Sequence, residues 1–298
     1  MATSDDALPR VYLVDASIYV FRSWFTYPED LTDSEGWQAN AVYGYADFLN
    51  TLMRNIQPEF IACAFDQSLS TSYRNEIYPA YKANRDPAPE ELKRQFEHCR
   101  LLTRSLGIAE YASERFEADD ILGTLAVMMR ERGHPVTIIT SDKDLAQLIA
   151  SDDDEWWDYA RNIRLDADGI SQKFGVEPAL IAEMLALSGD AVDNIPGVPG
   201  IGQKTAVGLL SRFGSLDAIY NSLADVPDCG LRGAKRIAGL LEAHEDEART
   251  ALSLTRIVDT VPVGAQPDDL CWEGADKAML ETVIELIGFN PGRYRHLV

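Results

Sequence analysis

The sequence lacks the long hydrophobic runs and paired cysteines that mark membrane, redox and zinc proteins. No apolar run approaches the roughly 20 residues that a membrane-spanning helix needs, and residues 1–10 are polar and acidic where a secretory signal would be basic and then apolar. The four cysteines, at positions 63, 99, 229 and 271, form no CxxC pair. We therefore expect a cytoplasmic protein with no membrane partner, whose cysteines are inert buried thiols.

Basic residues are also scarce. The 298 residues contain 27 Lys and Arg against 48 Asp and Glu, which gives a net charge of −21 and a pI of about 4.5. Taken as an average, this charge argues against a polyanionic partner such as nucleic acid. The composition, 46% hydrophobic and 25% charged, is otherwise typical of a globular chain long enough to bury a large core.

The hydrophobic pattern predicts an α/β fold, with a mostly parallel central sheet flanked by helices. Short apolar runs at residues 11–16, 60–65 and 136–140 are typical of strands buried on both faces, and helical patterns over 39–55 and 117–132 separate them. From about residue 176 the chain is predominantly helical. We predict an α/β core over 1–174 and a helical part over 175–298.

Acidic residues follow the predicted strands and open the neighbouring helices. They are Asp15, Asp66, Asp142 and Asp144 after strands, Glu117, Asp119 and Asp120 at a helix start, and Asp190 and Asp193, one helical turn apart. Because the carboxyl ends of parallel strands share one sheet edge, we expect these groups to converge. Oxygen-only ligands select Mg²⁺ or Mn²⁺, and two such ions are the usual clamp for phosphodiester hydrolysis. Taken singly, each acid could instead be a helix cap or first-turn residue.

A glycine-rich segment, NIPGVPGIGQKTA at 194–206, precedes an amphipathic helix. It nearly spells a nucleotide-binding loop, but Gln203 interrupts that motif and no strand precedes it. The segment favours a hairpin between two helices at about 190–214, whose backbone N–H groups bind a phosphate irrespective of sequence. A plain turn is the alternative.

In the stretch from about 73 to 106, bases exceed acids, although the chain as a whole is acidic. On a helix, Lys82 and Arg85 would place two cations on one phosphate, and Tyr81 could stack on an unpaired base. The alternative is a solvated helix face. By contrast, Asp152, Asp153 and Asp154 are expected to form a solvated loop.

The strings LVDASIYVFRSW, FEADDILGTLA, TSDKDLAQLI and GDAVDNIPGVPGIGQKTA together resemble those of the 5′→3′ exonuclease and flap endonuclease family. The similarity runs from about Arg10 to Leu223 and is closest to the N-terminal nuclease domain of bacterial DNA polymerase I. It implies a PIN-like 5′ nuclease core, a helical arch at about 73–106 and a helix-hairpin-helix. Because the sequence ends at Val298, we expect a stand-alone member without a polymerase domain.

The resemblance also implies roles for individual residues. Asp15, Asp66, Glu117 and Asp119 would surround a first metal with Asp120 beside it, and Asp142, Asp144, Asp190 and Asp193 would serve a second. Arg22, Arg74, Lys82 and Arg85 match bases that contact the scissile phosphate or the 5′ strand. Gly197, Gly200, Gly202 and Lys204 fall on the hairpin that holds duplex DNA, where relatives bind K⁺. Ala16 stands where the family usually has glycine.

The leading hypothesis is a monomeric Mg²⁺-dependent 5′ nuclease that cuts 5′-ended, flap or branched DNA, with Mn²⁺ as a substitute ion and a separate DNA polymerase as a partner. A catalytically silent DNA-junction binder would need no intact carboxylates. A single-strand ribonuclease on a similar core would lack the hairpin. Both alternatives stay open at the level of sequence.

Overall fold

Residues 8–67, 71–289 and 292 are described in the structure, a computed structural model. Its central element is a six-stranded sheet of order β3-β2-β1-β4-β5-β6. The strands are β1 (Val11–Asp15), β2 (Phe60–Asp66), β3 (Ala109–Ser113), β4 (Val136–Ile139), β5 (Glu155–Asp158) and β6 (Ile163–Leu165). The first five strands in chain order pair in parallel, and only β6 runs antiparallel to its neighbour. The predicted α/β class is therefore confirmed.

Helices connect the strands and continue beyond them. They are α1 (Ala16–Thr26), α2 (Asn40–Ile56), α3 (Tyr73–Ile77), α4 (Glu90–Ser105), α5 (Ala118–Arg130), α6 (Ala167–Phe174), α7 (Ile181–Ser188), α8 (Gln203–Phe213), α9 (Leu216–Asn221), α10 (Ala234–Ala243), α11 (Glu245–Thr255) and α12 (Lys277–Ile287). Short 3-10 helices cover Asp144–Leu148, Pro178–Leu180, Leu223–Asp228 and Pro267–Leu270. Among the described residues, no helix is both long and apolar enough to cross a bilayer.

Alternation along the strands builds a core on each face of the sheet. Ala62 and Ala64 of β2 face one side and pack with α5 and the C-terminal helices, whereas Ile61, Cys63 and Phe65 face the other side and pack with α1, α2, α4 and α12. All five residues are fully buried. Burial on both faces explains why the predicted strands read as continuous apolar runs.

The last part of the chain does not stay with the helical part that was predicted over 175–298. Trp272 donates its backbone N–H to Glu59 at 2.8 Å, and its indole N–H donates to the carbonyl of Leu106 at 2.8 Å. Helix α12 then buries Leu280 and Ile284 in the core shared with α2 and α4. The end of the described chain thus returns to the α/β core.

Two predictions about individual side chains are wrong. Asp154 does not lie in a solvated loop: it is fully buried and accepts hydrogen bonds from Arg130 and from the backbone N–H groups of Val136, Ala150 and Ser151. The cysteines are free, but Cys271 is exposed rather than buried. The ion pair with Arg130 and the three backbone N–H groups compensate the burial of the Asp154 carboxylate, whereas residues 152 and 153 are exposed.

Candidate active site at the carboxyl edge of the sheet

The ends of the central strands place carboxylates at one edge of the sheet. Asp15 ends β1 and accepts a hydrogen bond from the Thr140 hydroxyl at 2.8 Å, just beyond β4. Asp66 ends β2, and its carboxylate accepts the backbone N–H of Ala118 at 2.9 Å, at the start of α5. Four chain segments thereby converge at this edge, as the parallel sheet requires.

The segment after β4 adds two further acids. The Thr140 hydroxyl accepts the backbone N–H of Asp142 at 2.9 Å, and the Asp142 carboxylate accepts that of Asp144 at 2.9 Å. These bonds fold the chain tightly after the strand, so Asp142 and Asp144 stay near the sheet edge.

Asp190 and Asp193 do not share a helical face, because α7 ends at Ser188 before the pair is reached. Backbone hydrogen bonds instead join Asp190 and Ile195 in both directions, at 2.9 and 2.8 Å. Asn194 closes this turn with a left-handed backbone (φ 54°). The prediction that the two acids share a helical face is therefore wrong, but the turn still brings both of them to the site.

The pKa shifts show that these carboxylates are close enough to repel one another. Burial raises the pKa of Asp15 to about 7, with added repulsion from Asp66 and Asp142. Burial raises the pKa of Asp119 well above its usual range, and Asp142, Asp15 and Asp66 raise it further. Burial and the charge of Asp142 raise the pKa of Asp144 to about 7. The edge is thus a crowded set of acids that lacks enough positive charge.

Three cations lie among the acids. Lys82 Nζ lies 3.0 Å from Glu117 Oε2 and 3.7 Å from Asp193 Oδ2, and the guanidinium of Arg85 also contacts Asp193. The positive charge of Lys143 was missed by the sequence reasoning, although it stands between Asp142 and Asp144 in the chain. Its Nζ lies 2.6 Å from Asp190 Oδ2 and 3.3 Å from Asp144 Oδ1.

Lys82 and Arg85 do not lie on a helix. Helix α3 ends at Ile77, and Lys82 has a left-handed backbone (φ 55°) in the turn that follows. The Lys82 backbone N–H donates to the Asp193 carbonyl at 2.9 Å, and the Asn194 side chain donates to the Ala80 carbonyl at 2.6 Å. The two turns are therefore bonded together, which holds both cations over the acids without helical spacing.

Arg74 and Asp120 are also placed differently from what the resemblance implied. Arg74 is 3% exposed and Asp120 is fully buried, and the guanidinium meets both carboxylate oxygens at 2.7 and 2.8 Å. Asp120 further accepts the backbone N–H groups of Val258 at 2.9 Å and Glu117 at 3.2 Å. In the structure the guanidinium of Arg74 is therefore directed at Asp120, and both oxygens of that carboxylate already accept hydrogen bonds.

Tyr81 does not offer a free ring for stacking. It is 4% exposed, and its hydroxyl donates to Glu117 at 2.9 Å and lies 3.2 Å from Asp193. The aromatic surface near the site comes instead from Phe21 of α1 and Phe96 of α4, whose ring centroids lie 5.1 Å apart. Both rings line a cleft of about 750 Å³.

This cleft borders the carboxylates. Its lining includes Asp66, Lys82 and Arg85 as well as the two phenylalanines. Helix α4, the second half of the predicted arch, packs its apolar side into the core, and Arg100 and Arg104 both pair with Glu110. The basic surplus of residues 73–106 is thus largely neutralised, and the turn after α3 carries the charge that faces the site. The arch as a passage for a strand stays a prediction. Arg22, on α1, is exposed with no acidic partner in the described residues.

The glycine segment forms the loop between α7 and α8. A methyl group on Gly197 would lie 2.1 Å from the backbone N of Gly189, so only glycine permits this approach. Gly200 has a left-handed backbone (φ 84°), and Gly202 precedes the first residue of α8 with open space around it. Lys204, the second residue of α8, is exposed. The segment is thus a tight hairpin between two helices.

The donor set fits hard divalent cations. The converging acids supply oxygen ligands only, and the buried Glu117 Oε1 has no hydrogen-bond partner among the described residues, while Asp144 Oδ1 has only the ion pair with Lys143 at 3.3 Å. Across residues 8–67, 71–289 and 292, however, no three His, Cys, Asp or Glu groups are already assembled so that they could hold an ion. Lys82, Arg85 and Lys143 instead pair with carboxylates of this set.

The family models and a similar protein that match this chain all belong to the 5′-3′ exonucleases. The N-terminal, resolvase-like domain of 5′-3′ exonucleases matches residues 10–175, and the C-terminal SAM fold of 5′-3′ exonucleases matches residues 176–278. The chain is 33% identical to a 5′-3′ exonuclease of Buchnera aphidicola, covering 94% of this chain and 97% of that protein. It is 40% identical to DNA polymerase I of Pseudomonas aeruginosa, covering 87% of this chain but only 28% of that protein's length.

Solved structures show the same fold at lower identity. T5 5′-exonuclease with bound zinc superimposes with a TM-score of 0.68 at 20% identity, over 93% of this chain and 99% of that one. The catalytic core of Rad2 in complex with a DNA substrate superimposes with a TM-score of 0.61 at 16% identity, over 98% and 91% of the two chains. The structures extend the likeness to the whole described architecture.

Proposed function

The chain belongs to the 5′-3′ exonuclease family of nuclease hydrolases, and from this premise we propose that it is a Mg²⁺-dependent 5′ nuclease that cuts 5′-ended, flap or branched DNA. The observation that carries the proposal is the set of buried, mutually repelling carboxylates at the carboxyl edge of the sheet. Such a set is unfavourable without cations, and divalent cations are the partners that its oxygen-only chemistry selects.

The acids divide into two groups around two ions. Asp15, Asp66, Glu117 and Asp119 would hold the first, and Asp142, Asp144, Asp190 and Asp193 the second. When bound, the ions would supply charge stabilisation on both sides of the phosphodiester and a nucleophile at neutral pH. The protein holds its carboxylates in place from the backbone, as the Ala118 N–H bond to Asp66 does.

Lys82 and Arg85 would serve the scissile phosphate. In the structure both contact Asp193, and Lys82 also contacts Glu117. With the charge of these carboxylates neutralised, Lys82 and Arg85 would be free to interact with a phosphate over the site. Cations aimed at developing phosphate charge in a partly buried site act mainly on the transition state.

The cleft and the hairpin would hold the two parts of a branched substrate. An unpaired 5′ strand would enter the cleft, where Phe21 and Phe96 offer an aromatic surface to a base. The backbone of duplex DNA would lie on the hairpin of Gly197, Gly200 and Gly202, beside Lys204. Potassium bound at this hairpin, a monomeric state and a partner polymerase complete the proposal.

The test is cleavage mapping on matched 5′-flap, nicked and blunt DNA, with Mg²⁺, Mn²⁺ or EDTA. We expect cuts near the 5′ branch point or the 5′ end with either metal and none with EDTA. Binding without cleavage under all conditions would indicate the catalytically silent alternative. A preference for single-stranded RNA over a DNA flap would indicate the ribonuclease.

A further inference from the structure

The segment that leads into α10 repeats the pattern of the hairpin before α8. Residues 202–210 read GQKTAVGLL, and residues 233–241 read GAKRIAGLL. In each segment a glycine immediately precedes the helix, and a lysine is its second residue. The burial pattern repeats as well, because Ala206 and Leu210 are buried in α8, as are Ile237 and Leu241 in α10. Residues 230–236 thus form a second glycine-led entry into a helix.

The two segments pack against each other reciprocally. A methyl group on Gly200, in the first hairpin, would lie 3.1 Å from Nη2 of Arg236 in α10. A methyl group on Gly208, in α8, would lie 2.7 Å from Cδ2 of Leu231, which precedes α10. Each glycine gives space to the other segment, so the guanidinium of Arg236 lies directly beside the first hairpin.

The surface where these two segments meet is positively charged, unlike the protein as a whole. Arg232, Lys235 and Arg236 are exposed, and none pairs with a carboxylate within the described part of the chain. Lys204 is exposed and unpaired in the same way. In a chain with a net charge of −21, where most described Lys and Arg side chains have an acidic partner, four free cations on two adjoining segments make a distinct basic surface.

We propose that Arg232, Lys235 and Arg236 form a second contact for the phosphodiester backbone of duplex DNA, continuous with the contact proposed at the first hairpin. The inference rests on the proposed function, since it assigns a further surface for the same DNA. Exposed cations without hydrogen-bonded partners favour a sequence-independent polyanion, and guanidinium groups suit phosphate oxygens. The adjoining first hairpin makes duplex DNA the occupant that fits both surfaces.

The test compares K235A/R236A with the wild-type full-length chain, using fluorescence anisotropy on a 5′-flap substrate with a long downstream duplex. Titrations in Ca²⁺ at several salt concentrations give the slope of log affinity against log salt. Each lost phosphate contact is expected to lower the magnitude of this slope by about 1, so the double variant should lose about 2. Cleavage at subsaturating DNA should fall in parallel with the lost affinity.

The matched control is R54A/K277A, which removes the same charge from two exposed cations on α2 and α12 that pair with no acid in the described part of the chain. This variant should keep the wild-type slope. The single variant K235A is expected to leave the fold intact, because the exposed Lys235 pairs with no acid among the described residues. It should lower the magnitude of the slope by about 1. An unchanged slope in K235A/R236A, or an equal loss in both double variants, would overturn the proposal. If the wild-type chain neither binds nor cuts the flap, the proposed function itself fails, which is a different result.

Discussion

The buried pair of Arg74 and Asp120 gives a sharp prediction, because the fold and the family resemblance assign Arg74 different tasks. In Arg74→Met the Asp120 carboxylate would stay buried without its two guanidinium bonds. Arg74 also donates to the carbonyls of Leu254 and Arg256, at 2.8 and 3.2 Å, which ties the end of α11 to α5. Breaking such a buried pair from one side costs about 3–5 kcal/mol.

The assay is urea unfolding followed by circular dichroism, with thermal melting as a second measure. We expect Arg74→Met to lose about 3–5 kcal/mol and to melt at least about 6 °C lower. Adding Asp120→Asn should restore part of the loss, because no uncompensated charge then stays buried. Arg249→Met removes an exposed arginine that pairs with Asp217 and Glu245, and it should cost less than about 1 kcal/mol.

The reasoning would be refuted if Arg74→Met unfolded within about 1 kcal/mol of the wild-type protein. A variant of unchanged stability that loses DNA affinity would support the phosphate contact that the resemblance implied. Loss of stability with nearly normal affinity at low temperature would support the structural task.

Three further predictions concern the site. Lys143→Met removes the cation beside Asp190 and should bind Tb³⁺, a luminescent probe for hard-cation sites, about tenfold more tightly than the wild-type protein; unchanged Tb³⁺ affinity would contradict the contact. Without divalent ions, the free energy of unfolding, measured by urea titration, should fall as pH rises from about 4 to 7. In this range Asp15 and Asp144, with pKa values of about 7 in the folded protein, keep protons that the unfolded chain has released. Saturating Mg²⁺ should flatten this pH profile. Lys82→Ala should slow single-turnover cleavage by about 10²–10³ while duplex affinity changes less than about twofold, and equal losses in both would sink the proposed role.

The central sheet could be predicted because its strands are buried on both faces. The predicted runs at 11–16, 60–65 and 136–140 correspond to β1, β2 and β4 within one residue at each end. Strand β3 was missed because every one of its residues is only half-buried at the edge of the sheet, so it carries no continuous apolar run. Strand β5 is short and follows three aspartates, which read as a loop.

The site was harder to predict, since its contacts cross the chain. The convergence of acids follows from parallel strands, and the structure brings Asp15, Asp119 and Asp142 within interaction distance. The sequence could not show that Asp120 forms an ion pair with Arg74, because this pairing depends on how residues 73–77 pack against α5. A nearly repeated nine-residue string, by contrast, was readable at 233–241 and was overlooked.

The central claim is that the carboxylates at the sheet edge bind the ions that drive DNA cleavage. The most direct test is single-turnover cleavage of a 5′-flap DNA by Asp142→Asn and Asp119→Asn in saturating Mg²⁺, with Asp153→Asn as an exposed matched control. The account predicts that both site variants lose cleavage by at least about 10²-fold while they still bind the flap and stay folded, and that the control cuts normally. Cleavage at the wild-type rate by either site variant would contradict it.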